Sequence, residues 1–488
     1  MRYLHPQSVV RVLSVCILFF LQGCSKPDNP APEPEDPNMA SALTQKVTKF
    51  IYETMDDVYL WTAYMPSNID RRYEKDPATY FQKLLYKPED RWSVITDDYE
   101  GMTEGSGGVE TTFGYDLAFG RFSNSDNYFG IVQFVYPNSP ASQAGLKRGS
   151  IIVKMNGASI TANNYMQLFY NASNTLILGR LADNTIYEDA TLNIEAKKMQ
   201  LSPIIEEKIL DIDGHKIGYL HYSNFFSGSE TLLDAVFGRF KAAGIQDLIV
   251  DVRYNGGGSV ATAARLSSLI APEKVLDGKT VLVTYQWNAF YQDYWSKNDP
   301  TQLRVLFEPK AKAVNNLNFG KVYILTGPGS ASASEFVMTG LAPYMEVVKI
   351  GGTTHGKYTA SFLMQAEEYV NGSWTPIKGA ENWGIQPIAI RYANALGVTD
   401  FKDGFVPDYA VNDLLMEGVK ALGDPKESLL AKAIELITGV VSTDAPHTRM
   451  GKFAPATQLI SRPDYFHGSL LIDRPELPCR IPTSDKQF

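Results

Sequence analysis

Three short stretches of the chain contain the residue types that acyl-transfer chemistry needs. They are residues 251–258 (Asp-Val-Arg-Tyr-Asn-Gly-Gly-Gly), 329–335 (Gly-Ser-Ala-Ser-Ala-Ser-Glu) and 354–357 (Thr-His-Gly-Lys). A serine hydroxyl becomes a nucleophile when a nearby base accepts its proton, and backbone N–H groups of a glycine-rich turn can stabilise the oxyanion that then forms. The three stretches therefore supply candidates for a nucleophile, a base and an oxyanion hole.

The second stretch predicts the start of a helix. Ser332 and Glu335 stand three residues apart, just before the apolar residues 336–338, in the pattern of a capping box. A serine at a helix start also exposes its hydroxyl, and the N–H of Ala333 is one of the unpaired donors of the first turn. The helix dipole favours negative charge at this place. Capping and proton donation need the same hydroxyl, so only one of them can dominate.

The third stretch offers two candidate bases, His355 and Lys357. A lysine with its ordinary pKa of about 10.4 is protonated near neutrality and is a poor base. Burial must lower that pKa toward about 7–8 before lysine can accept a proton efficiently. The alternative role of such a lysine is a solvated surface charge. No Gly-x-Ser-x-Gly motif occurs in the chain, which argues against an α/β-hydrolase.

The glycines of the first stretch have two interpretations. They follow an apolar strand and let backbone N–H groups approach a ligand or an oxyanion closely. Alternatively, Gly256, Gly258 and Ala261 loosely fit a dinucleotide-binding fingerprint, with Asp277 about 20 residues further on. The sequence does not show the repeated βαβ pattern that a dinucleotide fold requires, so the oxyanion interpretation is favoured.

The elements that position these stretches follow from hydrophobic periodicity. Apolar runs at 216–222, 248–252, 322–325 and 347–350 predict strands. A helix with Gly244 as its stop signal lies between the first two. Residues 201–439 are therefore predicted to form an α/β core. The residues that mark one face of this helix are Leu232, Leu233, Val236, Phe237 and Phe240.

Residues 39–102 are predicted to be a helical segment. Helically spaced apolar residues give its first helix one apolar face, which is expected to pack on the next domain, with partner binding as the alternative. These residues are Leu43, Val47, Phe50, Ile51, Met55 and Val58.

The N-terminus has the pattern of a bacterial export signal. Residues 1–23 combine basic residues with a short apolar run that is too short to span a membrane, and Leu-Gln-Gly precedes Cys24. This resembles a lipoprotein cleavage box, which implies lipidation of Cys24; an ordinary signal peptide is the alternative. Residues 24–38 are rich in proline and acidic residues, so an extended, disordered tether is expected. The predicted location is the cell envelope, lipid-anchored to a bacterial membrane, the outer membrane being expected and the side left open.

Composition limits the other partners. Lys plus Arg total 45 and Asp plus Glu total 54, which gives a net charge of −9 and argues against nucleic acid as a partner. Three cysteines, one of them inside the predicted signal, argue against a disulfide framework and against a cysteine-ligated metal site. No metal and no cofactor is predicted, and the sequence gives no prediction of the oligomeric state.

Residues 103–200 contain short strands, at 129–132 and 151–153, among glycine, asparagine and serine turns. A short helix is predicted after Ser139, and the surrounding residues 135–157 resemble a PDZ domain. Gly114 and its apolar neighbours are candidates for a loop that holds a peptide carboxylate on backbone N–H groups. The alternative is a small β-domain without a ligand.

Taken together, the three stretches resemble the C-terminal processing (tail-specific) proteases, serine peptidases in which a Ser–Lys dyad lies beside a PDZ domain. The resemblance covers roughly residues 103–410 and implies an α/β multidomain fold with a crotonase/ClpP-like catalytic core over 201–439. It implies that Ser332 is the nucleophile, that Lys357 is the base 25 residues later, and that Gly258 and Ala333 supply the oxyanion N–H groups. The supporting residues that it implies are Asp251, Arg253, Asn255, Glu335 and Thr354.

One position departs from the family pattern. The family often has a glutamine four residues after the lysine, where this chain has Ser361. The favoured hypothesis is a lipid-anchored serine endopeptidase whose PDZ domain recognises protein substrates with an accessible C-terminus. The alternative is a catalytically weak or inactive peptide-binding lipoprotein that uses the PDZ domain. Residues 440–488 are predicted to be an irregular C-terminal extension.

Overall fold

The computed structural model describes residues 36–440 except 124, 184, 414 and 417, together with 453–455, 470–472, 475 and 477. The predicted signal peptide, Cys24 and most of the tether lie outside these residues. The chain divides into two compact units, Met1–Met39 and Ala40–Phe488. In the first unit, the described residues form a turn closed by a hydrogen bond from Met39 N–H to the Asp36 carbonyl. Within the described ranges, no helix combines the length and hydropathy needed to cross a membrane.

The second unit contains every helix and strand of the described residues. Its α-helices are α1 (Ala42–Val58), α2 (Pro77–Leu84), α3 (Tyr99–Ser106), α4 (Pro140–Gln143), α5 (Gln167–Tyr170), α6 (Glu230–Ala243), α7 (Val260–Ile270), α8 (Ala289–Asn298), α9 (Ala333–Leu341) and α10 (Ser428–Thr438). Its strands are β1 (Val94–Thr96), β2 (Val109–Thr112), β3 (Tyr115–Phe122), β4 (Tyr128–Val135), β5 (Ile151–Met155), β6 (Ala158–Ser159), β7 (Ser173–Ala182), β8 (Thr185–Glu195), β9 (Lys197–Gln200), β10 (Ile204–Ile212), β11 (His215–Tyr222), β12 (Asp247–Asp251), β13 (Gly258–Ser259), β14 (Val281–Trp287), β15 (Arg304–Leu306), β16 (Lys321–Thr326), β17 (Glu346–Gly351), β18 (Thr359–Ser361), β19 (Met364–Gln365), β20 (Glu367–Val370), β21 (Ser373–Pro376), β22 (Gly384–Gln386), β23 (Ile388–Asn394), β24 (Tyr409–Ala410), β25 (Phe453–Pro455) and β26 (Leu470–Leu471).

A six-stranded sheet in the order β10-β11-β12-β16-β17-β24 forms the centre of the α/β core. From β11 onward its strands are parallel, and β10 pairs antiparallel at one edge. The four predicted strands are confirmed as β11, β12, β16 and β17. The three candidate catalytic stretches follow the carboxyl ends of β12, β16 and β17, so the parallel arrangement brings them to one edge of the sheet.

Helices cover both faces of this sheet. On one face α1, α6, α7 and α9 contribute buried side chains to the largest apolar cluster, and on the other face α10 packs against alternate strand residues. The predicted burial of the α1 face is thereby confirmed, but its partner is the α/β core and not residues 103–200, the next domain along the chain. Gly244 ends α6 in the left-handed conformation at φ 66°, as its stop-signal position predicts. The prediction was wrong for one residue of each apolar helix face: Leu43 of α1 and Leu232 of α6 are 40% and 42% exposed.

The N-terminal segment is not entirely helical. It contains α1, α2 and α3, but residues 94–96 form strand β1, which pairs antiparallel with β22 far along the chain. A three-residue strand carries too little periodicity to be recognised in the sequence. Its position depends on a partner strand nearly 300 residues later, which local patterns do not show.

Residues 109–200 form a β-rich region. Its main sheet has the order β25-β3-β4-β5-β7-β8 and its own apolar cluster. The predicted strands and the short helix are confirmed as β4, β5 and α4, the last capped by Ser139 Oγ. Gly114, at φ 80°, donates its N–H to Thr112 Oγ1 at 3.1 Å, so this N–H is engaged within the loop.

A second sheet flanks the glycine turn. Its order is β13-β26-β18-β23-β14-β15. Strand β18 follows Lys357, and β13 contains Gly258. This sheet therefore joins the two stretches that carry the candidate base and the candidate oxyanion donor.

Candidate active site

Ser332 is the N-cap of α9 and has a strained backbone. Its φ is 59° and its ψ is −106°, a conformation that residues other than glycine rarely adopt. The side chain is fully buried, and its Oγ makes no hydrogen bond with any residue the structure describes. The predicted capping box with Glu335 is present, and because the Oγ donates to no described residue, its proton is available for transfer to a base.

Glu335 holds the backbone on both sides of the candidate site. Its Oε2 accepts the N–H of Ser332 at 2.8 Å and the N–H of Lys357 at 2.9 Å. Its Oε1 accepts the Thr354 hydroxyl and the Gly356 N–H, both at 2.6 Å. Burial raises the pKa of this carboxyl to about 6, and the four hydrogen bonds oppose that rise. One side chain thus fixes the helix start and the lysine loop together.

Lys357 is buried, with 1% of its surface exposed. Burial lowers the pKa of its ammonium group to about 7, against the opposing charges of Asp90 and Glu335. Its Nζ lies 5.8 Å from the centre of the Trp92 ring. A lysine in these surroundings is substantially neutral near pH 7 and can accept a proton, which an exposed lysine cannot do.

The other candidate base is placed differently. His355 is exposed, and its Nε2 lies 3.4 Å from the indole Nε1 of Trp92. Lys357 is fully enclosed two residues later. The environment of Lys357 shifts its pKa toward catalytic use.

The glycine turn is built by Asn255. Its side chain donates to the Tyr222 carbonyl and accepts the Gly257 N–H, each at 2.9 Å. Its backbone carbonyl accepts the Ala331 N–H and the Ser334 hydroxyl, each at 3.0 Å. Asn255 therefore links the turn directly to the loop on both sides of the candidate nucleophile.

Gly258 has a φ of 130°, and a Cβ there would lie 2.3 Å from the Phe225 carbonyl oxygen. Only glycine fits this position. Gly257 O and Ser259 N–H pair with Phe225 on one side of the strand. Successive residues of a strand direct their backbone groups to opposite edges, so the N–H of Gly258 faces the other side. The N–H of Ala333 lies in the first turn of α9, where a helix has no internal acceptor.

Asp251 and Arg253 belong to a buried ionic cluster next to this turn. Arg253 is 1% exposed and forms paired hydrogen bonds to Asp251, at 2.8 and 2.9 Å, and to Glu427, at 2.7 and 2.9 Å. Burial alone would raise the pKa of Glu427, but Arg253 holds it down at about 2. The cluster is a buried ionic support, and the removal of one partner would leave an uncompensated charge.

Several site residues gave no signal in the sequence. Tyr392 donates its hydroxyl toward the carbonyls of Ser332 and Lys357, at 3.3 and 3.1 Å. Asp90 accepts the Tyr59 hydroxyl at 2.8 Å and the N–H groups of Trp92 and Ser93. Tyr392 lies in strand β23, which the sequence analysis did not predict, and Asp90 lies in the N-terminal segment, where its residue type is ordinary for a structural role.

Ser361, at the position where the family often has glutamine, does have a glutamine beside it. Its buried Oγ accepts a hydrogen bond from Gln386 Nε2 at 2.7 Å. Gln386 ends β22, the strand that pairs with β1 of the N-terminal segment. Residue spacing does not single out Gln386, because 25 residues separate it from Ser361.

The described residues contain no group of three or more His, Cys, Asp or Glu side chains arranged to hold a metal ion. The buried carboxylate of Asp251 instead accepts the Tyr219 hydroxyl and pairs with Arg253, which also pairs with Glu427.

Comparison with known proteins agrees with this geometry. Residues 216–411 match the model of peptidase family S41, and residues 46–94 match that of the peptidase S41 N-terminal domain. The chloroplastic C-terminal processing peptidase of Tetradesmus obliquus is 21% identical over 361 residues, covering 70% of this chain and 68% of that protein. The carboxy-terminal processing protease CtpA of Bacillus subtilis is 25% identical over 238 residues, covering 48% of this chain and 45% of that protein.

A solved structure shows the same fold. A Bacteroides fragilis NCTC 9343 chain assigned to the S41 proteases has a TM-score of 0.64 at 24% identity, over 80% of this chain and 98% of its own. The two family models together match about half of this chain, in the order N-terminal domain then peptidase domain. On these matches, the chain belongs to peptidase family S41, to which the C-terminal processing proteases are related.

Proposed function

We propose that this chain is a serine endopeptidase that works through a Ser332–Lys357 dyad. The observation that carries the proposal is the shared anchoring of two unusual residues by Glu335 Oε2. One is a serine whose Oγ makes no hydrogen bond with the described residues, and the other is a buried lysine whose pKa is lowered to about 7.

In the proposed mechanism, neutral Lys357 accepts the proton of Ser332 Oγ as the oxygen attacks a peptide carbonyl carbon. The N–H groups of Gly258 and Ala333 hold the negative oxygen of the tetrahedral intermediate. Lys357 then gives its proton to the leaving amine, the C–N bond breaks, and an acyl-enzyme remains on Ser332. Water, deprotonated by Lys357, hydrolyses the ester and restores the hydroxyl.

The substrate class of this proposal is a protein with an accessible C-terminal tail. Residues 103–200 would act as a PDZ domain that captures the tail by strand addition. Support comes from the confirmed strands and helix of this region and from relatives that are named for C-terminal processing.

The proposed setting is the cell envelope, with Cys24 carrying a lipid. Its support is the Leu-Gln-Gly-Cys sequence at 21–24 and the proline-rich, acidic segment that follows. Mass measurement of the N-terminal peptide from membranes, beside a Cys24→Ala variant that should be released in soluble form, tests it. An unlipidated N-terminus in the membrane-bound protein would contradict this part of the proposal.

The alternative, a catalytically weak or inactive peptide-binding lipoprotein, rests on Ser361. A serine reaches less far than glutamine, and here its Oγ is engaged by Gln386.

Cleavage of casein by the purified chain, read by mass spectrometry beside Ser332→Ala and Lys357→Ala, separates the two functions. Cleavage by the parent alone supports the dyad. Equal cleavage by all three proteins would contradict it, and no cleavage by any would favour the alternative.

A further inference from the structure

A segment of the C-terminal extension lies as a strand beside the candidate site. Strand β26 pairs in parallel with β13, Leu470 opposite Gly258 and Leu471 opposite Ser259. On its other side Leu471 is opposite Ser361 of β18. The next residue, Ile472, donates its N–H to the Ser361 carbonyl at 3.0 Å. Residues 470–472 therefore fill a gap between two strands that come from different parts of the catalytic region.

The two walls of this gap are parts of the proposed catalytic machinery. Gly258, on one wall, is the proposed oxyanion donor, and its N–H faces away from Phe225 toward the edge where β26 lies. Ser361, on the other wall, stands four residues after Lys357 in the strand that leads away from the base. A strand placed between these walls runs past the oxyanion donor in an extended conformation.

An extended peptide is the chemical partner that such a gap fits. Two strand edges that face each other offer backbone donors and acceptors to a third strand, and this gives main-chain recognition with little dependence on side chains. Leu471 and Ile472 are half-buried, and Ile472 also packs against the main apolar cluster. Backbone pairing and apolar contact together hold the segment in place.

A second described part of the extension behaves in the same way. Strand β25 pairs antiparallel with β3, with Phe453 opposite Phe122 and Pro455 opposite Gly120. Strand β3 would otherwise be the edge of the β-rich sheet. Two separate pieces of one extension thus occupy two strand edges, each in a region to which the proposed function assigns peptide binding.

We propose that the gap between Gly258–Ser259 and Ser361 is the groove for an extended polypeptide segment, and that residues 470–472 of this chain are its resident occupant, which substrate must displace. The assignment of substrate as the competitor rests on the proposed function. The occupancy of the groove by a strand parallel to both walls does not. An occupant that belongs to the same chain competes intramolecularly, at a higher effective concentration than a free peptide, so weak pairing is sufficient for competition.

The test compares Ile472→Pro with Ile472→Ala in the full chain. Both variants lose the branched isoleucine side chain, but only proline lacks the N–H that bonds to the Ser361 carbonyl. Each is made in the Ser332→Ala background and titrated with a fluorescein-labelled synthetic peptide of residues 467–476, followed by anisotropy. The loss of one hydrogen bond from the resident strand should make the peptide bind about two- to tenfold more tightly to the proline variant than to the alanine variant.

Equal affinity in the two variants would overturn the inference, and so would the absence of peptide binding to a folded proline variant, as judged by its circular dichroism. Because this readout does not need turnover, it is independent of the proposed protease activity. In the active chain, the unlabelled peptide should inhibit casein cleavage, and the Ile472→Pro variant should show a lower KM with an unchanged kcat. Cleavage without such inhibition would count against the groove assignment but not against the dyad.

Discussion

Ser332 and Lys357 donate their backbone N–H groups to the same oxygen atom, Oε2 of Glu335, at 2.8 and 2.9 Å. The hydroxyl of Tyr392 lies within 3.3 Å of both their carbonyls. These contacts hold the two residues together through the backbone only. The relative position of serine and lysine is therefore set without engaging the Ser332 hydroxyl.

Replacement of Lys357 by arginine should abolish activity although the positive charge is kept. Arginine stays protonated at every pH of interest and cannot accept the serine proton. We expect kcat/KM to fall about 10²–10⁴-fold, the usual contribution of a general base. Lys297→Arg, at a lysine whose side chain is 68% exposed, is the matched control and should keep parental activity. An active Lys357→Arg enzyme would show that another group is the base.

The activity should rise with pH through about 7. The pKa of Lys357 is lowered to about 7 by burial, so the neutral form that accepts a proton grows as pH increases and reaches a plateau above pH 8. A profile of kcat/KM between pH 5.5 and 9 measures this directly. A rate that stays flat across this range, or that falls as pH rises through 7, would contradict the assignment.

Replacement of Lys357 by methionine should stabilise the fold near neutrality. The folded state holds a neutral lysine above pH 7, whereas the unfolded chain keeps it protonated up to about pH 10.4, so the unfolded state binds more protons in this window. The free energy of unfolding of the parent should therefore rise with pH, by about 1.4 kcal/mol per unit from this group. Urea unfolding at pH 8 and 9 should give the methionine variant a larger free energy of unfolding than the parent, and this difference should become smaller as pH rises. A difference that grows would contradict this sign.

Replacement of Glu335 by glutamine should weaken both stability and turnover. Four donors converge on the two carboxylate oxygens, and an amide offers only one acceptor oxygen to them. Each buried donor left unpaired costs about 1–3 kcal/mol of unfolding free energy. Glu346→Gln, at a surface ion pair with Lys321, is the control and should change stability by less than about 1 kcal/mol. Equal effects of the two substitutions would argue against the anchoring role.

Replacement of Asp90 by asparagine should move the activity profile to lower pH. The charge of Asp90, together with that of Glu335, opposes the fall in the pKa of Lys357, so its removal lets that pKa fall further. Asparagine keeps the shape, and its carbonyl oxygen can still accept the N–H groups of Trp92 and Ser93. The acid limb of the kcat/KM profile should shift to lower pH, whereas the control Asp97→Asn, at an exposed residue, should leave it at the parental pH. An upward shift, or none, would contradict the proposed electrostatic contact.

The features that could be predicted from the sequence are those with a local cause. The strand–turn–helix units around residues 251–258 and 329–335 follow from apolar runs, glycine and a capping pattern within about ten residues. Gly244 ends α6 because glycine alone reaches the left-handed conformation without strain. The Ser332 and Lys357 pair followed from the family resemblance, and the parallel strands β16 and β17 bring the two stretches to one edge of the sheet.

Only the tertiary structure decided what surrounds these residues. The low pKa of Lys357 depends on desolvation by groups such as Trp92, which lies 265 residues earlier in the chain, and on the charge of Asp90. Tyr392 and Gln386 join the site through strands whose own pattern indicates only burial. The strand at Leu470–Leu471 has no local signal, because its position depends on backbone pairing with β13 and β18, which come from distant parts of the chain. Desolvation and edge pairing are properties of the assembled fold, and for that reason residue types and spacing could name the candidate nucleophile and base but not their environment.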